Sequence, residues 1–234
     1  MSRDVDLKGS TIADPTVRRI DLAAVHASLR HLQREWREAL GSLSVARDPL
    51  DDRVVDNMVA GYTFVDALVA SRIDVLAPGN LKHLLEMNSL VLCGTSPARR
   101  EDYRRHIEAT EHRFYEEREA GVQDLVEWYA SHRDDAVWDR AAGAYVRMLS
   151  RPHLFIEGNH RTGALLMSFV LLWNGRPPFV LSGNAAPAYF DPSVAISDVD
   201  KKNPTTYFQL SRVRDRVATL LVEHSDPRHL LPVS

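Results

Sequence analysis

From Thr162 to Asn174 the chain is apolar nearly all round, and this run constrains the fold more than any other segment. A helix with no polar face has to be covered on every side, so the run predicts a central, buried helix with other elements packed about it. It is not a membrane span: its most apolar part, Ala164–Trp173, is about half the length that crosses a bilayer.

The covering elements read as amphipathic helices. Leu22, Val25, Leu29, Leu32, Trp36 and Leu40 recur at spacings of three and four, which marks a helix ending near Gly41. Asp48-Pro49-Leu50-Asp51-Asp52 opens a second helix, through Val55, Met58, Tyr62, Val65 and Leu68. Pro78-Gly79-Asn80 breaks the chain, and Leu81–Leu92 reads as a third helix closed by Gly94. Ser96–Ile107 reads as helical, whereas Thr110–Ala120 is ambiguous. Gly121 precedes a helix carrying Val122, Leu125, Val126 and Tyr129. Asp134-Asp135 offers an N-cap for the next, which holds Val137, Trp138, Ala141, Tyr145 and Met148 and which Pro152 ends. After the central helix come a short Phe179-Val180-Leu181 stretch and a last helix near Pro204–His224. Residues 1–14 read as a loose polar arm. The class is mainly α, with residues 1–47 as an N-terminal arm and helix and residues 48–234 as one domain.

Composition excludes some roles. Apolar residues make up 44% of the chain, enough for a sizeable core, and the net charge of −3 gives no field that would draw nucleic acid. Cys93 is the sole cysteine and lies in the apolar run Leu90-Val91-Leu92-Cys93, so it reads as a core residue and no intrachain disulfide forms. The N-terminus lacks an apolar signal segment, and the expectation is a cytoplasmic protein with no membrane contact.

Chemistry concentrates between Pro152 and the central helix, in His153-Leu154-Phe155-Ile156-Glu157-Gly158-Asn159-His160-Arg161-Thr162-Gly163. Amide N–H groups at the start of a helix form an anion site, strengthened by the helix dipole. Gly158 lets backbone approach a phosphate, Asn159 offers an amide donor, and Arg161 a permanently charged fork. Glu157 is a hard oxygen ligand suited to Mg²⁺. His153 can accept a proton near neutral pH. Phe155 and Ile156 are expected to point inward and anchor the loop.

The segment resembles the Fic (Fic/Doc) family signature His-x-Phe-x-(Asp/Glu)-Gly-Asn-Gly-Arg-x-x-Arg. His153, Phe155, Glu157, Gly158, Asn159 and Arg161 fall on it, six positions within nine residues. The resemblance implies a Fic fold, a helical bundle round a central buried helix with a short β-hairpin flap. It implies a Mg²⁺-dependent enzyme moving AMP from ATP onto a Ser, Thr or Tyr hydroxyl of a protein substrate. His153 would be the base, Glu157 the metal ligand, Gly158 and Asn159 the anion cradle, and Arg161 the phosphate clamp. Two positions depart: His160 stands where the family has Gly, and Ala164 replaces the second arginine. Doc-type members also lack that arginine, carry a Lys at the position of His160, and phosphorylate their target with the nucleotide inverted. Phosphoryl transfer, another nucleotide donor, a small-molecule acceptor and a silent Fic fold used for binding therefore stay open. His160 is a phosphate contact, a second base or a polar loop residue.

Three further assignments follow from the resemblance. Glu108–Gly121 lies where the family places its target flap, with Arg113, Phe114 and Tyr115 at the tip, or else is a helix end with its aromatics in the core. Lys82–Asn88 loosely resembles an inhibitory helix whose Glu86 would pair with Arg161. Tyr189 is a candidate for stacking on the nucleotide base. The apolar stripe of the first helix packs on the core or forms a homodimer seam.

Overall fold

The computed structural model describes residues 18–41, 43, 49–116 and 121–232. Ten α-helices are described: α1 (Leu22–Gly41), α2 (Asp52–Ala70), α3 (Lys82–Cys93), α4 (Pro97–Asp102), α5 (Arg104–Glu116), α6 (Val122–Ser131), α7 (Val137–Leu149), α8 (Asn159–Trp173), α9 (Ala186–Ser197) and α10 (Tyr207–Glu223). Short 3₁₀ turns precede α10 and follow it. Among the described residues β-pairing is limited to two isolated bridges, Ile20 with Leu230 and Arg151 with Asp200.

The apolar run is the central helix. In α8 every residue from Thr162 to Leu172 is buried, with α7, α2 and α3 packed against it. Small residues let the neighbours close in. A Cβ at Gly163 would collide with the Tyr145 ring on α7, so that crossing needs a glycine. Two hydroxyls buried beside it are satisfied: the Tyr62 hydroxyl donates to the Phe179 carbonyl at 2.5 Å, and Ser168 Oγ donates to the same oxygen at 3.0 Å. Phe179–Leu181 thus runs as irregular chain held across α2 and α8, and forms no strand.

The stripe of α1 is spent inside the chain. Val25, Leu29, Leu32 and Trp36 are all buried, so this face is closed to a second copy. Two contacts pin its start: Asp21 N–H donates to the His229 carbonyl at 2.9 Å, and Ile20 N–H donates to the buried Asp66 carboxylate of α2 at 2.8 Å, which Arg19 also engages. The arm, residues 1–14, lies outside the described residues.

One expected cap needs correcting: α7 begins at Val137 with Ala136 as its N-cap, and neither Asp134 nor Asp135 caps it. α9 was not legible, because Pro187 and Pro192 lie within it and its apolar residues lack a helical stripe. Of the two readings of the flap segment the helix end holds: Arg113, Phe114 and Tyr115 lie on the last turns of α5, with Phe114 fully buried against Phe155 and Tyr115 exposed. Residues 117–120 of the flap segment lie outside the described residues. No described helix is long and apolar enough to cross a membrane.

Candidate functional site

The loop between α7 and α8 is tied down by bonds that mostly run from side chains to main chain. Leu154 N–H donates to the Met148 carbonyl at 3.2 Å, and Leu154 and Phe155 are both buried. Asn159 closes the loop on itself: its Oδ1 accepts from Phe155 N–H at 3.0 Å while its Nδ2 donates to the Phe155 carbonyl at 2.8 Å. The Asn159 amide is therefore a loop clamp in this conformation, with one N–H of Nδ2 given to Phe155. Ile156, expected inside, is 43% exposed because the alternation of the loop turns it outward.

Gly158 has φ +75°, in the left-handed region, and any Cβ there would press on Asn88, Val91 and Leu92 of α3. Glycine is required on both counts. The first bond of α8 runs from Thr162 N–H to the Gly158 carbonyl at 2.9 Å, and no side chain caps the helix. Amides of the first turn before it have no partner within their own helix, and the helix dipole adds positive character there.

His153 is half-buried and its Nδ1 lies 2.7 Å from the Leu149 carbonyl. A carbonyl only accepts, so in the neutral ring Nδ1 carries the proton and Nε2 keeps its lone pair. Burial holds this imidazole below the ordinary histidine value, opposed by the Leu149 hydrogen bond and reinforced by the charges of Arg113, Lys201 and Arg151. Around neutral pH the ring is an unprotonated base. Arg113 Nε donates to the His153 carbonyl at 3.1 Å, so the residue expected at a flap tip instead anchors the base from α5.

Arg161 lies half-buried on the first turn of α8, and its Nη1 donates to the Val91 carbonyl at 2.5 Å, near the end of α3. Glu86 is not its partner. Arg100 of α4 takes the Glu86 carboxylate through two bonds, at 2.6 and 2.9 Å, because the two face each other across the α3–α4 turn. Glu157 is exposed, with its carbonyl held by Asn88. His160 is on the first turn of α8, not in the loop: its Nδ1 lies 2.9 Å from the Tyr145 hydroxyl, and Tyr189 and Phe190 meet its ring edge-to-face. Tyr189 is buried, its ring stacked on Tyr145 at 5.3 Å and its hydroxyl donating to the His160 carbonyl at 2.8 Å. Its faces are occupied by core aromatics, so it offers no stacking platform to a base.

Two groups of residues escaped the sequence reading. Asn88, buried on α3, donates through Nδ2 to the Glu157 carbonyl at 2.9 Å and to Thr162 Oγ1 at 3.0 Å, so one amide joins the loop to the start of α8. An Asn among Leu84, Met87 and Val91 was the available signal. The other group is a buried ion cluster behind the loop. Asp124 of α6 takes Arg147 of α7 at 2.6 Å and Lys201 at 3.4 Å. Burial brings the Lys201 ammonium down to about 8 despite Asp124. Lys201 N–H then donates to the Arg151 carbonyl, and Arg151 N–H to the Val199 carbonyl, both at 2.9 Å, so the cluster fixes the chain entering His153. Nothing in sequence links positions so far apart.

Residues 78–171, which hold α3 to most of α8, match the family model described as Fic/DOC family. No curated protein matches the chain.

Proposed function

We propose that this chain, a Fic/DOC family protein and so a transferase of the Fic type, moves AMP from ATP onto a hydroxyl acceptor. The observation that carries the proposal is the tautomer of His153: with Nδ1–H given to Leu149, the basic Nε2 is left to take a proton. In the proposed step the acceptor oxygen loses its proton to His153 Nε2 and attacks the α-phosphorus. The P–O bond to the β-phosphate breaks, and pyrophosphate leaves. Arg161 and the first-turn amides of α8 are the groups suited to the phosphate oxygens.

Glu157 fits Mg²⁺ as a single exposed carboxylate. It would hold the ion together with water and substrate phosphates. When bound there, Mg²⁺ would offset charge on the phosphates.

Ala164 favours a second reading, phosphoryl transfer, because the side chain at this position carries no charge for a terminal phosphate. ATP labelled at the α- and γ-phosphates separates the two. Label from the α-position that disappears in His153→Ala, with a rate drop of about 10²–10⁴-fold, supports AMP transfer. Label from the γ-position alone replaces it with a kinase. Transfer that survives His153→Ala unchanged removes the assigned base.

A further inference from the structure

The last turn of α7 ends on carbonyls that no amide inside the helix can reach, and each of the last four has a donor. Val146 accepts from the Ser150 N–H at 2.9 Å and from the Ser150 hydroxyl at 2.6 Å. Arg147 accepts from the Lys201 ammonium at 3.1 Å, Met148 from the Leu154 N–H at 3.2 Å, and Leu149 from His153 Nδ1 at 2.7 Å. Two of these donors are titratable side chains. Both stand at the negative pole of a helix, which favours a cation.

A buried lysine needs a reason. Lys201 is 6% exposed, and burial brings its ammonium down to about 8. An apolar side chain would fill the same place without the desolvation that a charge suffers. Asp124 is not the reason, because Arg147 already engages both of its oxygens, at 2.6 and 2.8 Å, while Lys201 stands off at 3.4 Å. The closer contact of the ammonium is the Arg147 carbonyl, and Arg147 Nη1 returns a bond to the Lys201 carbonyl at 3.2 Å. That exchange holds the ammonium against the end of α7, two residues before the carbonyl that holds His153.

The other charges round His153 are placed differently. Arg113, from α5, gives its Nε to the His153 carbonyl. Arg151, two residues ahead on the chain, has a side chain 63% exposed with Asp198 at 3.8 Å, so water and salt screen it. Lys202 and Glu157 are exposed. Lys201 is the buried cation, with Asp124 of α6 and Arg147 of α7 beside it, and the three side chains together keep a positive excess. Burial is the larger influence that holds His153 below the ordinary histidine value, and the charges of Arg113, Lys201 and Arg151 act in the same direction.

We infer that Lys201 is a positioning residue for the base: its ammonium occupies the negative pole of α7, so that His153 completes the same cap as a neutral imidazole with Nε2 open to a proton. The inference rests on the transferase reading and assigns the residue that keeps its base ready. Lys201 acts through His153 alone. Without the ammonium the pole would favour a histidinium, whose Nδ1–H still donates to Leu149 but whose Nε2 already carries the proton it should receive.

The test follows the His153 ring by NMR titration of the purified chain, with the signal assigned by its loss in His153→Ala. A rate–pH profile is recorded alongside, using Mg²⁺, α-labelled ATP and a cell extract as the source of acceptor. Lys201→Met and Lys201→Gln remove the charge, and Lys201→Arg keeps it. The His153 midpoint is expected to rise in both uncharged variants and to stay at the parent's value in Lys201→Arg. Transfer by the uncharged variants should fall about 2- to 5-fold near pH 6 and return toward the parent's rate at about pH 8, where the ring is neutral in every variant. Melting curves report folding, and one folded uncharged variant suffices for the comparison. A midpoint that stays or falls in Lys201→Met or Lys201→Gln overturns the inference and leaves Lys201 a packing residue. An equal rise in Lys201→Arg and Lys201→Met also overturns it, because altered packing and not charge would then move the midpoint. Absence of label with the parent refutes the transferase reading by itself, since the His153 titration still decides what Lys201 does.

Discussion

Asn88→Ala tests how the site is held. The Asn88 side chain is buried, and its one amide nitrogen donates to an oxygen of the loop and to an oxygen of α8, at 2.9 and 3.0 Å. Removing it deletes both bonds. The Glu157 carbonyl belongs to an exposed residue and can turn to water, whereas Thr162 is fully buried and its Oγ1 has no such recourse. At about 0.5–1.5 kcal/mol for each bond, the loss is about 1–3 kcal/mol. For a chain of this length that corresponds to a melting temperature lower by roughly 4–8 °C at the middle of the range.

The functional effect should exceed the stability effect. Asn88 also packs under Gly158, so without it the left-handed turn that aims the first amides of α8 loses its floor. A misplacement near 1 Å costs on the order of 10²-fold in rate, so transfer should fall at least about tenfold at temperatures where the variant is fully folded. Asp66→Ala is the control: it cuts the bonds to Arg19 and Ile20 at the start of α1 and should lower the melting temperature without a comparable rate loss. A double-mutant cycle with Thr162→Val should return a coupling of about 0.5–1.5 kcal/mol. If Asn88→Ala melts within 1 °C or so of the parent and transfers at the same rate, the tether is not what positions the loop.

Two further outcomes are expected. Asp124→Ala strips a buried lysine and a half-buried arginine of their counter-charge, which should cost about 3–5 kcal/mol by denaturant unfolding; a cost near zero would mean that the cluster is not buried as described. Stability should also fall as pH drops from 7 to 5. Burial keeps His153 and His229 below the ordinary histidine value, so the unfolded chain takes up protons first and the folded state loses ground until its own lowered values are passed. Above the ordinary value the contribution is complete, and His229→Gln should flatten the slope; unfolding curves identical at pH 7 and 5 would contradict the assigned burial.

Much of the fold was legible because period and burial coincide. The stripe of α1 and the all-round apolar run of α8 each mark a helix by its period or burial, and both formed within a few residues of the predicted bounds. The glycine at 158 was legible for a related reason, since a turn with positive φ sets its requirement on a local stretch of chain. What escaped was non-local or interrupted. Lys201 and Asp124 meet because α6 and the segment before α10 converge on the entrance to the loop, and no spacing encodes that. Glu86 was assigned the wrong partner because sequence shows which charges exist, whereas the α3–α4 turn decides that Arg100 arrives first. Tyr189 was misread for a similar reason: an aromatic downstream of a polar loop looks like a stacking platform until core aromatics are found covering it.

The departures at His160 and Ala164 can be weighed against this geometry. Around the start of α8 the loop is held by Asn88 from α3, by Arg113 and Phe114 from α5, and by its own Asn159, and most of these bonds end on main-chain carbonyls. Such tethers set the path of the backbone whatever the side chains at 160 and 164. His160 is drawn toward Tyr145, Tyr189 and Phe190, on the α7 and α9 side, and Ala164 is buried one turn further along. Both substitutions therefore alter what a terminal phosphate would meet and leave the base and the first-turn amides where they are. Between His153 and Ala164 the one permanent cation in the sequence is Arg161. In the proposed transfer, a donor held by one arginine and helix amides would be fixed at its reacting phosphate and loosely beyond it. The choice between the α- and γ-phosphate then falls to the groups that hold the rest of the nucleotide, which is why the position of the label is the decisive observation for this site.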